Sequence, residues 1–304
     1  MRLQTTLNDE ITLRGVGLHT GNPAEVKLRP AQTGSGIRFV REIAGQYVIV
    51  PAHFSHVTET TLCTTLCVDA PQQGSASVKT VEHLMAALHV CGVDNIDVFL
   101  PQQEVPIMDG SSACFVDAIL KVGLRHLNSV ARQWVVTKTV EIRDGARYAS
   151  LKPHPCFALD FTIVYEDTII GTQKISVDEF DDLLTQVMPA RTFGLLRDVE
   201  MLKAHNLARG GSLDNAVVVG DDGVLNPEGL RYEDEFVRHK ILDAIGDLAL
   251  AGAPIRGRYE GVRAGHELNN LLLRKAFDTP GAMQLAQYSE GANRNPVAAM
   301  PLAI

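Results

Sequence analysis

Residues 231–248 read RYEDEFVRHKILDAIGDL and are predicted to form one long helix that organises the rest of the chain. Apolar residues recur at helical spacing, so one face of this helix packs against a core. These apolar positions are Ile241, Leu242, Ile245 and Leu248. His239, Asp243 and Asp247 follow one another at i, i+4 and i+8, which aligns them along a stripe beside the apolar face. Such a stripe is unusual in a buried position, and an exposed i, i+4 ion pair is the alternative interpretation.

A second predicted helix, over residues 80–91, offers a further ligand for a metal ion. His239 and Asp243, one helical turn apart, can bind one divalent cation if a third ligand comes from elsewhere in the chain. His83, in the first turn of the second helix, completes two imidazoles and one carboxylate. This set is typical of catalytic zinc, which leaves a fourth position for water. Taken alone, a helical histidine such as His83 is more often a capped or surface residue than a metal ligand.

Four further polar residues are candidates for catalysis or substrate binding. Glu82 adjoins the proposed ligand His83, so its carboxylate is suited to act as a general base on a water molecule. His266 follows a glycine, and Asp247 is free to orient it or to hold it protonated. Thr192 offers a hydroxyl donor on a turn. Lys240 follows His239 and projects about 100° round the helix from it, where it can meet an anionic substrate group. The plain alternatives are a structural histidine, a capping threonine and a solvated lysine.

The composition excludes several classes of function. The chain has 304 residues and a net charge of −8, which gives no basic surface for nucleic acid or for an anionic membrane. It contains no apolar run of membrane-spanning length and no signal-peptide core, so we expect a cytoplasmic protein with at most transient contact with a membrane surface. Five scattered cysteines fit reduced thiols. A phosphate-binding glycine loop, a dinucleotide fingerprint and a nucleophile elbow are all missing, which disfavours hydride transfer and serine hydrolysis.

The order of predicted elements indicates an α+β fold of two similar domains. Strand-like runs precede helix patterns twice, on either side of a polar and aperiodic stretch at residues 125–133. We therefore predict domains at residues 1–127 and 128–279, each a helix layer on a mainly antiparallel sheet. Residues 280–304 are rich in Ala, Asn and Pro, and we predict an irregular tail. The first domain supplies Glu82 and His83 and the second the remaining candidates, which places the site between the domains.

Seven stretches together resemble one family, the zinc-dependent UDP-3-O-acyl-N-acetylglucosamine deacetylases of lipid A biosynthesis. In chain order they are GVGLHTG (residues 15–21), TVEHL (80–84), VPIMDGS (105–111), ARTFG (190–194), NLARGGS (206–212), LRYEDEFVRHKILDAIGDL (230–248) and GHELNN (265–270). They cover nearly the whole chain in the order found in the family. The resemblance implies that the helix layers of the two domains face each other, with the site between them. It also implies that an insert at residues 193–226 forms an apolar passage for an acyl chain.

The resemblance assigns roles to the candidate residues. It implies a Zn²⁺ ion held by His83, His239 and Asp243, with Glu82 as the general base. His266, paired with Asp247, is implied to be the positively charged group beside the transition state and the leaving amine. Thr192 is implied to donate to the oxyanion. The substrate-binding residues that it implies are Lys240 at the diphosphate, His19 and Phe193 lining the site, Phe161 on the uridine side and Leu62 near the acyl chain.

The expected reaction is zinc-dependent hydrolysis of the N-acetyl group of UDP-3-O-acyl-N-acetylglucosamine, with release of acetate, an early committed step of lipid A biosynthesis. The expected partner is this UDP-linked acylated amino sugar, bound by a monomer. One departure from the family pattern is that the strand containing Phe161 continues as VYEDT at residues 164–168, where the family commonly has Asp-Phe-Asn/Asp-His-Pro. Two alternatives remain open: a zinc amidohydrolase that acts on another acylated amine, and a non-catalytic binding protein stabilised by zinc.

Overall fold

The structure, a computed structural model, describes residues 2–70, 74–177, 180–205 and 207–288. The α-helices among these residues are α1 (Glu82–Val90), α2 (Ala113–Val122), α3 (Phe180–Gln186), α4 (Leu196–Ala204), α5 (Glu235–Ala249) and α6 (His266–Asp278), with a 3-10 turn at Phe54–His56. They are combined with sheets in which most neighbouring strands are antiparallel. The predicted α+β class is therefore confirmed.

The first half of the chain contains a five-stranded sheet and two smaller sheets. Its strands are β1 (Leu3–Leu7), β2 (Ile11–Val16), β3 (Pro23–Pro30), β4 (Ile37–Ile43), β5 (Gln46–Pro51), β6 (Val57–Glu59), β7 (Thr65–Ala70), β8 (Gly74–Val78), β9 (Ile96–Leu100) and β10 (Leu124–Val130). The five-stranded sheet has the order β2-β3-β9-β4-β5, in which β4 and β9 are parallel. Strands β6, β7 and β8 form a second sheet, and β1 pairs with β10.

The second half contains a seven-stranded sheet. The strands of the second half of the chain are β11 (Arg132–Val136), β12 (Val140–Asp144), β13 (Arg147–Lys152), β14 (Phe157–Tyr165), β15 (Gly171–Val177), β16 (Phe193–Leu195), β17 (Val217–Val219), β18 (Ile255–Val262) and β19 (Met283–Gln287). The large sheet follows the order β12-β13-β18-β11-β19, while β14 pairs with both β18 and β15. Strands β16 and β17 form a separate parallel pair.

Helices α1 and α5 pack directly on each other in the interior. Both are buried nearly all round, as expected for helices enclosed by other elements rather than lying on the surface. Gly246 of α5 makes the closest approach, because a β-carbon built there would lie 2.0 Å from the carbonyl oxygen of Glu82. A glycine at this position lets the two backbones touch, and this contact brings the residues of α1 next to those of α5.

The C-terminal part of the chain contains two elements that the sequence analysis did not predict. Residues 266–278 form α6, which buries Leu268, Leu272 and Leu273. The predicted irregular tail from residue 280 is interrupted by β19, because Met283–Gln287 pairs along the exposed edge of β11. The rest of that prediction, residues 289–304, lies outside the described residues.

The stretch proposed as a link between domains is also more regular than predicted. Within residues 125–133, most of β10 and the start of β11 are strands. Strand β10 pairs with β1, at the other end of the first half, so its polar residues satisfy their backbone groups through a partner far away in sequence. The boundary at residues 127 and 128 falls inside β10 and stays a prediction. None of the helices in the described part of the chain has the length and apolar character needed to cross a membrane.

Candidate active site

The two predicted histidine ligands and the predicted aspartate converge between α1 and α5. One ligand atom from each of His83, His239 and Asp243 lies within 4.8 Å of the other two. The Nε2 atoms of the two imidazoles are 3.5 and 3.4 Å from Oδ1 of Asp243, respectively. All three residues are buried. Two imidazole nitrogens and a carboxylate oxygen aimed at one point form a donor set that fits a divalent cation such as Zn²⁺.

Hydrogen bonding fixes the ligand form of His239. Its Nδ1 lies 3.1 Å from the carbonyl oxygen of Ala190, which can only accept, so Nδ1 carries the proton and Nε2 keeps its lone pair for the metal position. Burial lowers the pKa of this imidazole to about 3, although the charge of Asp243 opposes the shift. The imidazole is therefore neutral at ordinary pH, as a metal ligand must be.

Lys240 shares the carboxylate of Asp243 with the metal position. Its Nζ lies 2.7 Å from Oδ2, which leaves Oδ1 facing the two imidazoles. Burial opposes ionisation of Asp243, but its contacts with the His239 imidazole and the Lys240 ammonium outweigh it and hold the pKa well below its usual range. The ammonium group also lies 5.7 Å from the centre of the Phe193 ring. Lys240 therefore carries a fixed positive charge at the edge of the cluster.

Glu82 occupies the first turn of α1, directly before His83. Only 3% of the residue is exposed, and its Oε2 accepts a hydrogen bond of 3.0 Å from the backbone N–H of Thr64. Burial raises the pKa of the carboxyl group above its ordinary value. A carboxyl group tuned toward neutral pH is suited to take up a proton and release it again.

His266 and Asp247 form the ion pair that the sequence predicts. His266 is the first residue of α6, and its Nδ1 lies 2.9 Å from Oδ2 of Asp247. Burial opposes protonation of the imidazole, but the adjacent aspartate charge dominates and raises the pKa to about 9. The ring is therefore a cation at neutral pH. Because Nδ1 is held by Asp247, the Nε2 proton is the one that the ring can donate elsewhere.

A buried ion pair holds the loop that contains Thr192. Arg191 donates to Glu235 from its backbone N–H, from Nε and from Nη2, at 3.0, 2.9 and 3.1 Å. Glu235 begins α5 and is completely buried. The arginine thus ties Ala190, whose carbonyl holds His239, and Thr192 to the helix that carries His239 and Asp243. The Thr192 side chain is partly exposed.

Three of the predicted substrate-binding residues differ in exposure: Phe193 and Leu62 are accessible to solvent, and His19 is buried. The Phe193 ring contacts the rings of His239 and Tyr165, with centroids 6.3 and 5.6 Å apart, and is partly exposed. His19 is 5% exposed, and its Nε2 is buried without a hydrogen-bond partner in the part of the chain that the structure describes. Leu62, 48% exposed, precedes the Cys63–Thr64 segment that touches Glu82. The roles proposed for these residues remain predictions.

Phe161 does not occupy the position expected of a substrate contact. It is 1% exposed and packs against Tyr259 inside the sheet-helix core, so the structure does not bring it together with the other site residues, and its role stays a prediction. Side chains alternate along β14, and Phe161, Ile163 and Tyr165 share its inner face. Tyr165 stands at the end of the strand and contacts Phe193. The alternation of side chains along β14, followed to the end of the strand, therefore indicates Tyr165 as the residue of this face that lies next to the site.

The sequence analysis also missed residues that hydrogen-bond to the predicted site residues and hold them in place. Thr64 donates to Glu82 and to Asp247, and Asn269 donates to Asp247 at 2.8 Å. Glu104 accepts hydrogen bonds from the backbone of His19 and from the hydroxyl of Thr80, at 2.7 and 3.1 Å. These contacts join residues far apart in sequence, so no local sequence pattern predicts them.

Comparison with known proteins agrees with this geometry. The family profile described as UDP-3-O-acyl N-acetylglycosamine deacetylase matches residues 4–278. Three curated relatives bear the name UDP-3-O-acyl-N-acetylglucosamine deacetylase. The relative from Geobacter sp. (strain M21) is 43% identical over 297 residues, covering 97% of this chain and 96% of the relative. The relative from Myxococcus xanthus (strain DK1622) is 46% identical over 283 residues, covering 93% and 88%, respectively. The relative from Xanthomonas oryzae pv. oryzae (strain PXO99A) is 44% identical over 301 residues, covering 98% and 97%.

The profile match spans all of the residues that converge between α1, α5 and α6, and the relatives align over almost their full lengths. The chain therefore belongs to the UDP-3-O-acyl N-acetylglycosamine deacetylase family.

Proposed function

We propose that the protein hydrolyses the N-acetyl amide of UDP-3-O-acyl-N-acetylglucosamine, the compound for which its relatives are named, and releases acetate. This reaction is an early committed step of lipid A biosynthesis. The observation that carries the proposal is the buried group of His83, His239 and Asp243 together with the titratable residues that adjoin it. Glu82 directly precedes His83 on α1, and Asp247 follows Asp243 by one turn of α5 and pairs with His266.

Zn²⁺ is the ion that best suits this group. Neutral imidazole nitrogens and a single carboxylate oxygen are ligands that zinc accepts, and three protein ligands are typical of its catalytic sites. When bound there, the ion supplies Lewis acidity toward the amide carbonyl and lowers the pKa of water. His83, His239 and Asp243 would hold it, while Lys240 keeps the other oxygen of Asp243 occupied.

Glu82 serves as the general base. In its ionised form it takes a proton from the attacking water as the new C–O bond forms to the acetyl carbon. The hydrogen bond from the backbone of Thr64 favours the ionised form, while burial raises the pKa toward the working pH. The two effects together leave a carboxylate that is available as a base and strong enough to hold the proton briefly.

The His266 imidazolium supplies positive charge and a proton to the reaction. Its positive charge stabilises the oxyanion of the tetrahedral intermediate, and its Nε2 proton passes to the leaving nitrogen as the C–N bond breaks. Asp247 holds Nδ1 at 2.9 Å and so keeps the ring charged and correctly oriented. The Thr192 hydroxyl donates a further hydrogen bond to the oxyanion.

The remaining residues fit the other parts of the substrate. Lys240 pairs with the diphosphate through its fixed positive charge, and Phe193, Tyr165 and His19 contact the sugar and its nucleotide. Apolar side chains that are 40–55% exposed occur throughout the proposed acyl passage at residues 193–226, and Leu62 is 48% exposed. The passage residues are Leu196, Met201, Leu213 and Leu225. Exposed apolar side chains concentrated in one insert are consistent with contact to a fatty acyl chain.

Acetate release from a panel of acetylated sugars tests the substrate. We expect the zinc-loaded protein to deacetylate the full UDP-3-O-acyl sugar and to lose most kcat/KM when the UDP or the acyl chain is removed. Equal activity on simple acetylated amines would instead identify a zinc amidohydrolase of other specificity. Absence of acetate release from every compound would favour a zinc-stabilised binding protein.

We further propose that the protein works as a monomer in the cytoplasm, with at most transient contact with a membrane surface. All of the site residues named above come from one chain. The five cysteines are free, as is usual in a reducing compartment. Light scattering coupled to size-exclusion chromatography will give the mass of the active species, and a mass near twice 33.1 kDa would contradict the monomer.

A further inference from the structure

Thr64 makes hydrogen bonds to both of the carboxylates that act in the proposed reaction. It lies just before β7, and only 1% of it is exposed. Its backbone N–H donates to Oε2 of Glu82 at 3.0 Å, and its hydroxyl donates to Oδ1 of Asp247 at 2.6 Å. Its carbonyl oxygen accepts from the N–H of Val81, the residue before α1. Every polar group of Thr64 is therefore committed to the two helices of the site.

The hydroxyl contact determines how the Asp247 carboxylate is turned. Oδ2 of Asp247 accepts from His266 and from Asn269, at 2.9 and 2.8 Å. Thr64 is the partner of Oδ1 within the described residues. One donor on one oxygen and two on the other leave the carboxylate little freedom to rotate, because rotation breaks charge-assisted hydrogen bonds inside a buried site.

The contact also joins parts of the chain that are far apart in sequence. Thr64 and Glu82 belong to the first half of the sequence, whereas Asp247 and His266 lie on α5 and α6. Two buried carboxylates repel each other, and a residue that donates one hydrogen bond to each reduces that repulsion. Base and acid are thus held at a fixed separation through a single side chain and its own backbone.

We propose that Thr64 is a positioning residue that fixes the Glu82 base and the Asp247–His266 acid pair relative to each other in the active site. The proposal rests on the proposed function. The hydroxyl acts on the acid side and the backbone N–H on the base side, so a side-chain substitution disturbs only the contact with Asp247.

Three variants separate this role from simple packing. Thr64→Val keeps the shape of the side chain and the backbone donor but removes the hydroxyl, whereas Thr64→Ser keeps the hydroxyl. Thr65→Val is the matched control, because Thr65 is an adjacent threonine, 4% exposed, whose hydroxyl contacts Sγ of Cys63 at 3.8 Å rather than a carboxylate. Each protein is first checked for zinc content and for its unfolding midpoint.

The expected result is a loss in kcat confined to one variant. A hydrogen bond to a buried charged group corresponds to roughly a 10- to 100-fold change in rate, so Thr64→Val should lower kcat by that factor with KM within about twofold. Thr64→Ser and Thr65→Val should stay within about threefold of the unsubstituted protein. Equal losses in Thr64→Val and Thr65→Val, or a Thr64→Ser variant as slow as Thr64→Val, would overturn the proposal.

A spectroscopic readout keeps the test independent of the proposed reaction. The Nδ1 proton shared by His266 and Asp247 gives a low-field proton resonance, which is assigned by its loss in His266→Gln. We expect Thr64→Val to shift or broaden this resonance and Thr65→Val to leave it in place. If the unsubstituted protein releases no acetate, the proposed function fails, and the resonance alone decides about Thr64. A resonance that is unchanged in Thr64→Val would contradict the positioning role whatever the activity.

Discussion

Gly246→Ala probes the contact between α1 and α5 on which the site depends. The new β-carbon would lie 2.0 Å from the carbonyl oxygen of Glu82, whereas ordinary contact begins at 3.4 Å. The two helices must therefore separate locally by about 1.4 Å. Because the obstacle is backbone, no change of side-chain rotamer relieves it.

Two effects on stability act in opposite directions in this variant. Alanine in place of glycine within a helix stabilises the fold by about 1 kcal/mol. Overpacking in a close-packed interior costs about 1–3 kcal/mol, and a clash with backbone lies toward the upper end of that range. We therefore expect the free energy of unfolding to fall by about 1–2 kcal/mol, the opposite of what helix propensity alone predicts.

The effect on the site should exceed the effect on stability. His83 moves with α1, while His239 and Asp243 move with α5, and the present separation of 3.5 Å between His83 Nε2 and Asp243 Oδ1 would increase. Metal sites tolerate deviations in ligand distance of about 0.2 Å, and a misplacement of about 1 Å costs roughly 100-fold in rate. We expect weaker zinc binding and a kcat reduced by about that factor.

Zinc affinity by competition with a chromophoric chelator, kcat from acetate release and urea unfolding measure the three expected effects. Gly223→Ala is the control, because a β-carbon there meets nothing within 4 Å. It should change none of the three quantities. A Gly246→Ala protein that binds zinc normally, keeps kcat within about threefold and unfolds at higher urea would refute the claim that this close approach aligns the ligands.

Three further predictions concern single groups of the site. Glu82→Gln should retain one zinc ion per chain while kcat falls by about 10²–10⁴, and a variant with near-normal kcat would remove Glu82 as the base. The pH profile of kcat should fall on the acid side as Glu82 becomes protonated, at a pH above its ordinary pKa of 4.5, and on the alkaline side near pH 9 as His266 loses its proton. His266→Gln should abolish the alkaline limb, and a limb that persists would assign it to another group. Glu235→Gln, which leaves the buried Arg191 guanidinium with the more exposed Glu228 as its remaining carboxylate partner, should lower the free energy of unfolding by about 3 kcal/mol, the lower end of the cost of breaking a buried ion pair.

An exposed ion pair provides the control for the last of these. Arg14 pairs with Glu25 at 2.6 Å, but its side chain is 76% exposed. Arg14→Met should change the free energy of unfolding by less than about 1 kcal/mol. Equal losses in Glu235→Gln and Arg14→Met would show that burial of the Arg191 pair does not have the energetic weight assigned to it.

Long amphipathic elements and the convergence of the three residues that could hold a metal ion could be predicted from the sequence. Helix α5 was expected because its apolar residues repeat at helical spacing, and the structure forms it at Glu235–Ala249. The ligand set followed from chemistry, since His239 and Asp243 one turn apart require a third partner and His83 offered one. The structure brings these three residues together.

The errors arise where distant contacts or small local signals decide the conformation. Helix α6 begins at His266, and its buried leucines at positions 268, 272 and 273 follow a short helical spacing that the sequence prediction did not include. Strands β10 and β19 are stabilised by pairing with β1 and β11, and no local pattern shows that pairing. Phe161 was chosen for its residue type, yet the alternation along β14 places it in the core. Thr64 could not be found, because its two partners lie 18 and 183 residues away.

The most direct test of the account is acetate release from UDP-3-O-acyl-N-acetylglucosamine by chelator-treated protein, before and after addition of one equivalent of Zn²⁺. Circular dichroism of the same samples monitors the fold. The account predicts a folded, inactive metal-free protein whose activity returns with one zinc ion bound by His83, His239 and Asp243. Full activity in the metal-free protein, or a zinc-loaded protein that releases no acetate, would contradict it.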